Sequence, residues 1–172
     1  CLALLQQSVI LRNYDVDKAI ADAKAAVNIY NVKGAKLSNK VYYLLNLAEC
    51  MSYGGRNPNT CIYLAHEAVK YALQSKDSTT ISNSYQDLSV FYEIEGDTEL
   101  ALEASKKSYV YNAGDNFSKG YSLSQFYVMA DSIDLAKKAI AEATPLSISD
   151  SILLYSLKRT IAIKEHNWVG VE

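Results

Sequence analysis

Three cysteines and two histidines are the residues of this 172-residue chain best suited to nucleophilic or metal chemistry. Cys61 and His66 stand five apart, which on a helix turns them about 140° away from each other. A shared metal ion needs partners one turn apart, so they are a poor ligand pair. A thiol nucleophile would need Cys50 or Cys61 beside His66 or His166 together with an orienting acid, and nothing local assembles that set. The cysteines are therefore expected to be buried and structural. Close carboxylates, the raw material of acid–base catalysis, occur as Asp15 with Asp17 and as Asp97 with Glu99. Both pairs flank the start of a helical segment, where acids cap free N–H groups and complement the helix dipole. Gly54-Gly55 reads as a turn rather than a phosphate cradle, and the chain carries no serine elbow. The expectation is a binding domain, not an enzyme, with no cofactor and no metal.

Composition narrows the partners. With 49% apolar and 21% charged residues the chain can build an ordinary folded core. A net charge of -2 lacks the basic stripe that nucleic-acid binding requires. Only Arg12, Arg56 and Arg159 are arginines, too few and too scattered for a guanidinium cluster on phosphate. No window approaches 18 consecutive apolar residues, so no transmembrane helix is expected. An odd, low cysteine count is no disulfide framework and favours the reducing cytoplasm. Cys1 could instead be the lipid acceptor of a processed lipoprotein, which would place the chain in the cell envelope. A domain boundary is the simpler expectation, because helical periodicity begins at once.

These residues must be positioned by helices, and the helices repeat. One unit reads Tyr85-x2-Leu88-Ser89-x2-Tyr92, the turn Gly96-Asp97, then Ala101-x3-Ser105-x2-Ser108. The frame returns 35 residues later as Leu123-Ser124-x2-Tyr127, a turn at Asp131-Ser132, and Ala136-x3-Ile140-x2-Ala143, with Pro145 closing the second helix. Leucine and alanine are separated by 13 in both units (Leu88 to Ala101, Leu123 to Ala136). Upstream, Leu47-Ala48-x2-Met51 and Ala65-x3-Val69-x2-Ala72 form a third copy with a longer turn, in which Pro58 opens a helix capped by Asn57. Ala19-x3-Ala23-x2-Ala26 fits the second helix of a fainter first copy.

Leu-small-x2-Tyr on one helix and Ala-x3-x-x2-small on the next is similar to the tetratricopeptide repeat. The resemblance covers most of the chain and implies an all-α, right-handed α–α superhelix of about four helix-turn-helix repeats. Their expected bounds are 1–34, 38–81, 82–116 and 117–148, with a partial unit at 149–172 that suggests one domain of a longer protein. Small residues should stand where helices approach closely, and large ones should fill the space between.

The resemblance also implies an inner groove lined by first helices. In this register it takes Tyr42, Leu45, Glu49, Ser52 and Tyr53, then Asn83, Gln86, Val90, Glu93 and Ile94, then Ser118, Tyr121, Gln125, Val128 and Met129. Val90, Ile94, Val128 and Met129 have packing between neighbouring helices as an equal alternative. Family members that act as chaperone adaptors clamp a terminal carboxylate with lysine and asparagine. Glu49 and Glu93 stand here instead, so that clamp is not expected. Tyrosines, amides, apolar side chains and two acids suit an extended or helical peptide with apolar anchors and a basic residue. The implied function is a protein–protein interaction scaffold within a larger protein, as in bacterial sensor kinases, transcription regulators and lipoproteins. A regulatory receptor for a small peptide or small molecule, and a purely structural spacer, are the other readings open at this level.

Overall fold

Capping residues decide where each helix begins and ends. In the computed structural model, which describes residues 2–33, 36–55, 57–112, 114, 116–141 and 143–166, the described residues form nine helices. They are α1 (Leu2–Leu11), α2 (Val16–Lys33), α3 (Leu37–Tyr53), α4 (Pro58–Ser75), α5 (Ser78–Glu95), α6 (Thr98–Tyr111), α7 (Asn116–Met129), α8 (Ile133–Ala141) and α9 (Ile148–His166). Asn57 caps α4 by accepting the amide of Asn59, with Pro58 in the first turn. Asp15 accepts from the amide of Lys18, and Asp97 from that of Leu100, so these two acids act as caps. Asp77 does the same for Thr80, which starts α5 at Ser78, four residues before the start expected at Ser82. Gly96, at φ +86°, ends α5 in the left-handed region, and the Asp97 amide closes back onto the Tyr92 carbonyl. Cys1, Arg56 and the turn expected past His166 lie outside the described residues.

Consecutive helices pack as hairpins, α1 on α2, α3 on α4, α5 on α6 and α7 on α8, and each hairpin stacks on the next. The small residues of the repeat stand where axes approach. Ala48, Ser89 and Ser124 on first helices, and Ala65, Ala101 and Ala136 on second helices, are all buried to within 1% exposure. Between α7 and α8 the fit is close enough for the Ser124 hydroxyl to donate to the Ala136 carbonyl at 2.9 Å. Gly120 completes that approach, since a Cβ there would stand 2.8 Å from the Ala139 carbonyl oxygen. Leu88 and Tyr92 fill the interior beside them.

The apolar interior is divided. One cluster joins α3 to α6 around Leu44, Leu88 and Phe91, and another joins α7 to α9 around Phe117, Ile140 and Ile161. Neighbouring first helices approach one another at α1–α3, α3–α5 and α7–α9, yet no Cα pair between α5 and α7 comes within 8 Å. The stack therefore opens at that step. Met129 spans it, packing on the first cluster while its sulfur accepts from the Ser89 hydroxyl at 3.5 Å. Among the described residues no helix is long and apolar enough to cross a membrane.

Candidate functional site

One face of the stack carries a run of three cavities. The first, about 430 Å³, lies between the end of α1, α3 and α5, with Tyr42, Leu45, Asn46, Glu49, Gln86 and Asp87 in its walls. The second, about 470 Å³, continues toward the C-terminal ends of α3 and α5 and is lined by Tyr53, Val90 and Ile94. Arg12, Glu49 and Asp87 belong to both and form the wall they share. The third, about 250 Å³, occupies the opening between α5 and α7, and shares Asn83 and Gln86 with the first. Tyr121 and Gln125 line it from α7, and Asp150 and Leu153 from α9.

The structure distributes the sequence-derived groove residues unevenly. Tyr42 and Tyr53 are 54% and 59% exposed, available to a ligand. Leu45 touches the first cavity but is almost wholly buried, so it serves mainly as packing. Gln86 and Tyr121 line the run, and the Gln125 amide donates to the Tyr121 hydroxyl at 3.3 Å. Val90 and Ile94, 41% and 61% exposed, line the second cavity, whereas Val128 and Met129 go into the core and its bridge. Glu93 is exposed and lines none of the three cavities. Glu49 lines two of them but is ion-paired to Arg12, whose guanidinium also lies 5.0 Å from the centre of the Tyr53 ring.

Among the wall residues that repeat spacing did not point to are Arg12, Asn46 and Asp87. Arg12 comes from the turn after α1, where no repeat signature pointed. Asn46 and Asp87 did leave a signal. Each immediately precedes a signature leucine (Leu47, Leu88), as Ser122 precedes Leu123 in the third cavity. A helix places such a residue about 100° round from the leucine, which faces the core. Asn46 is only 3% exposed; its side-chain oxygen accepts from the Ser8 hydroxyl at 2.8 Å, while its Nδ2 donates to no described residue. Asp87 is half-buried and makes no hydrogen bond or ion pair among the described residues. Burial pushes its carboxyl up to about 7, and the neighbouring Glu49 charge pushes the same way.

Neither Cys50 nor Cys61 lines these three cavities, although the Cys50 sulfur lies 3.9 Å from the Asn46 side-chain oxygen behind the first. Cys50 and Cys61 are free and buried, and burial pushes both thiols up, away from the reactive thiolate. His66 is engaged by the Tyr92 hydroxyl at 2.6 Å. The described residues contain no cluster of three or more metal-ligating side chains.

No family model and no curated protein matches the sequence. Solved structures do match the fold. The nearly identical TPR-like repeats attributed to a kinesin light chain of Podosopora anserina superpose with a TM-score of 0.67 at 11% identity, over 98% of this chain and 96% of that one. A variant of those repeats, with a glutamine replaced by methionine, superposes with a TM-score of 0.68 at 12% identity, over 95% of this chain and 87% of that one. The chain has the tetratricopeptide-like solenoid fold that its repeat pattern implies.

Proposed function

We propose that this tetratricopeptide-like solenoid is a protein-interaction scaffold that holds an extended segment of a partner protein in its concave groove. The observation that carries the reading is the run of three cavities with shared walls, lined mainly by first helices. Separate pockets of this size would suit separate small ligands, but a connected run matches a chain laid across successive repeats. Tyr42 and Tyr53 supply rigid, half-exposed aromatic surface of the kind that dominates binding energy at interfaces. A catalytic role finds no support in the thiols, because neither Cys50 nor Cys61 lines the three cavities and burial pushes both up, away from the reactive thiolate. Selection of displayed random peptides on the purified chain tests the proposal. Selected peptides should shift backbone amide resonances on α3, α5 and α7. Shifts confined to α2, α4 and α6 would move binding to the convex side and refute the groove.

The proposal extends to the domain plan of four repeats and the first half of a fifth within a longer protein. It is supported by α9, where Ile148, Ile152, Tyr155 and Ile163 are exposed along one side, as on a first helix that awaits its second. Detection of the native protein at a mass no greater than this chain's own would end that part of the reading.

A further inference from the structure

The groove's charges are unbalanced. Among its described wall residues the acids are Glu49, Asp87 and Asp150, and the single cation is Arg12. Arg12 is already held by Glu49 and by the face of Tyr53, and it makes no ion pair with Asp87. Asp87 thus stands in the wall between two cavities as a carboxyl without a partner among the described residues. A half-buried carboxylate is costly unless a cation or several donors meet it. Across the same cavity, Asn46 presents an amide Nδ2 that donates to no described residue, although the side chain is more than nine-tenths buried. Asn46 lines that cavity, so an acceptor that enters it can take up the free donor. One molecule can satisfy both deficits if it carries a cation at one point and a carbonyl acceptor nearby, and a peptide bearing lysine or arginine does so.

We propose that the cavity between α1, α3 and α5 receives a lysine or arginine side chain of the bound segment, its cation on Asp87 beside Glu49 and a backbone carbonyl on the Asn46 amide. This rests on the reading of the groove as a peptide site. Glu49 shares its charge with Arg12, so Asp87 is the principal seat of the cation and Glu49 a secondary one. The remaining register follows. Residues on one side of the basic position meet Tyr53, Val90 and Ile94, which favours an apolar anchor there. Residues on the other side cross the opening toward Tyr121 and Gln125.

The test is a random-peptide selection on the wild-type chain, followed by affinities of the best peptide for wild type and for Asp87→Asn. Circular dichroism would confirm that the variant is folded. The expected result is enrichment of lysine or arginine at one position at a fixed distance from an apolar residue. The best peptide should bind Asp87→Asn about ten- to a hundredfold more weakly, as for loss of a hydrogen bond to a charged group. Replacing the peptide's basic residue by glutamine should cost as much on wild type and little more on the variant. Peptides selected without a basic position, or bound equally by Asp87→Asn, would overturn this inference while leaving the groove reading standing. Spermidine competing as well as the peptide would overturn the peptide as the source of the cation. Recovery of no peptide at all would sink the groove reading on which the inference depends.

Discussion

Replacing Asp87 by asparagine should stabilise the protein in alkaline solution and do much less in acid. The carboxyl moves from 3.8 to about 7 because burial and the Glu49 charge disfavour its ionised form. The sign follows from proton linkage. Between those two values the native state holds a proton that the unfolded chain has released, so stability falls as pH rises through the interval and levels off above it. At 1.36 kcal/mol per pH unit, the ionised carboxylate costs the native state on the order of 4 kcal/mol at pH 8. At pH 5 the native group is still protonated, and the remaining cost is about 1–2 kcal/mol. Asparagine has nearly the same shape and no charge, so the variant should escape this pH dependence. Urea titrations of both proteins at pH 5 and pH 8, followed by far-ultraviolet circular dichroism, give the difference directly. The gain from Asp87→Asn should be about 2–3 kcal/mol larger at pH 8 than at pH 5. Against a total stability of about 5–15 kcal/mol for a domain, that is readily measured. An equal effect at the two pH values, or a variant less stable at pH 8, would mean that Asp87 is compensated in the native state and does not await a cation.

Ala101→Trp and Ala136→Trp should each destabilise by about 3 kcal/mol or more, because both sites are wholly buried at helix approaches with no room for a ring. A melting temperature within error of wild type would refute the packing register. Gly120→Ala sets two effects against each other. Alanine favours the helix by about 1 kcal/mol. A Cβ 2.8 Å from a backbone carbonyl forces α7 from α8, and overpacking costs about 1–3 kcal/mol, so net destabilisation is expected in a urea titration. Glu49→Lys should weaken a selected basic peptide at least tenfold and lower stability by placing a cation against Arg12, whereas Glu93→Lys should leave affinity within about twofold. If both substitutions weaken binding equally in fluorescence anisotropy, the peptide runs outside the described cavities.

Much of this molecule is legible from residue spacing because a solenoid is stabilised by neighbours in sequence. Leu88 to Ala101 and Leu123 to Ala136 state the helix-pair geometry twice, and Ala48, Ser89 and Ser124 mark close approaches with small side chains. Helix ends were legible where a cap was obvious, as at Asn57, Gly96 and Asp97. The start of α5 was not, since Asp77 caps it before the repeat signature begins.

Several residues that line the cavities were legible one at a time, and the electrostatics around them were not. Sequence alone determined the repeat, its period, and the small residues that mark close helix approaches. Only the tertiary structure decided that Arg12, from a turn outside any signature, pairs with Glu49, that Glu93 stands outside the three cavities, and that Asp87 is left without a cation among the described residues. The physical reason is range. Periodicity reports which way a side chain points along its own helix. Desolvation and ion pairing depend on what the neighbouring helices bring within a few ångströms, and that is set by how the hairpins stack.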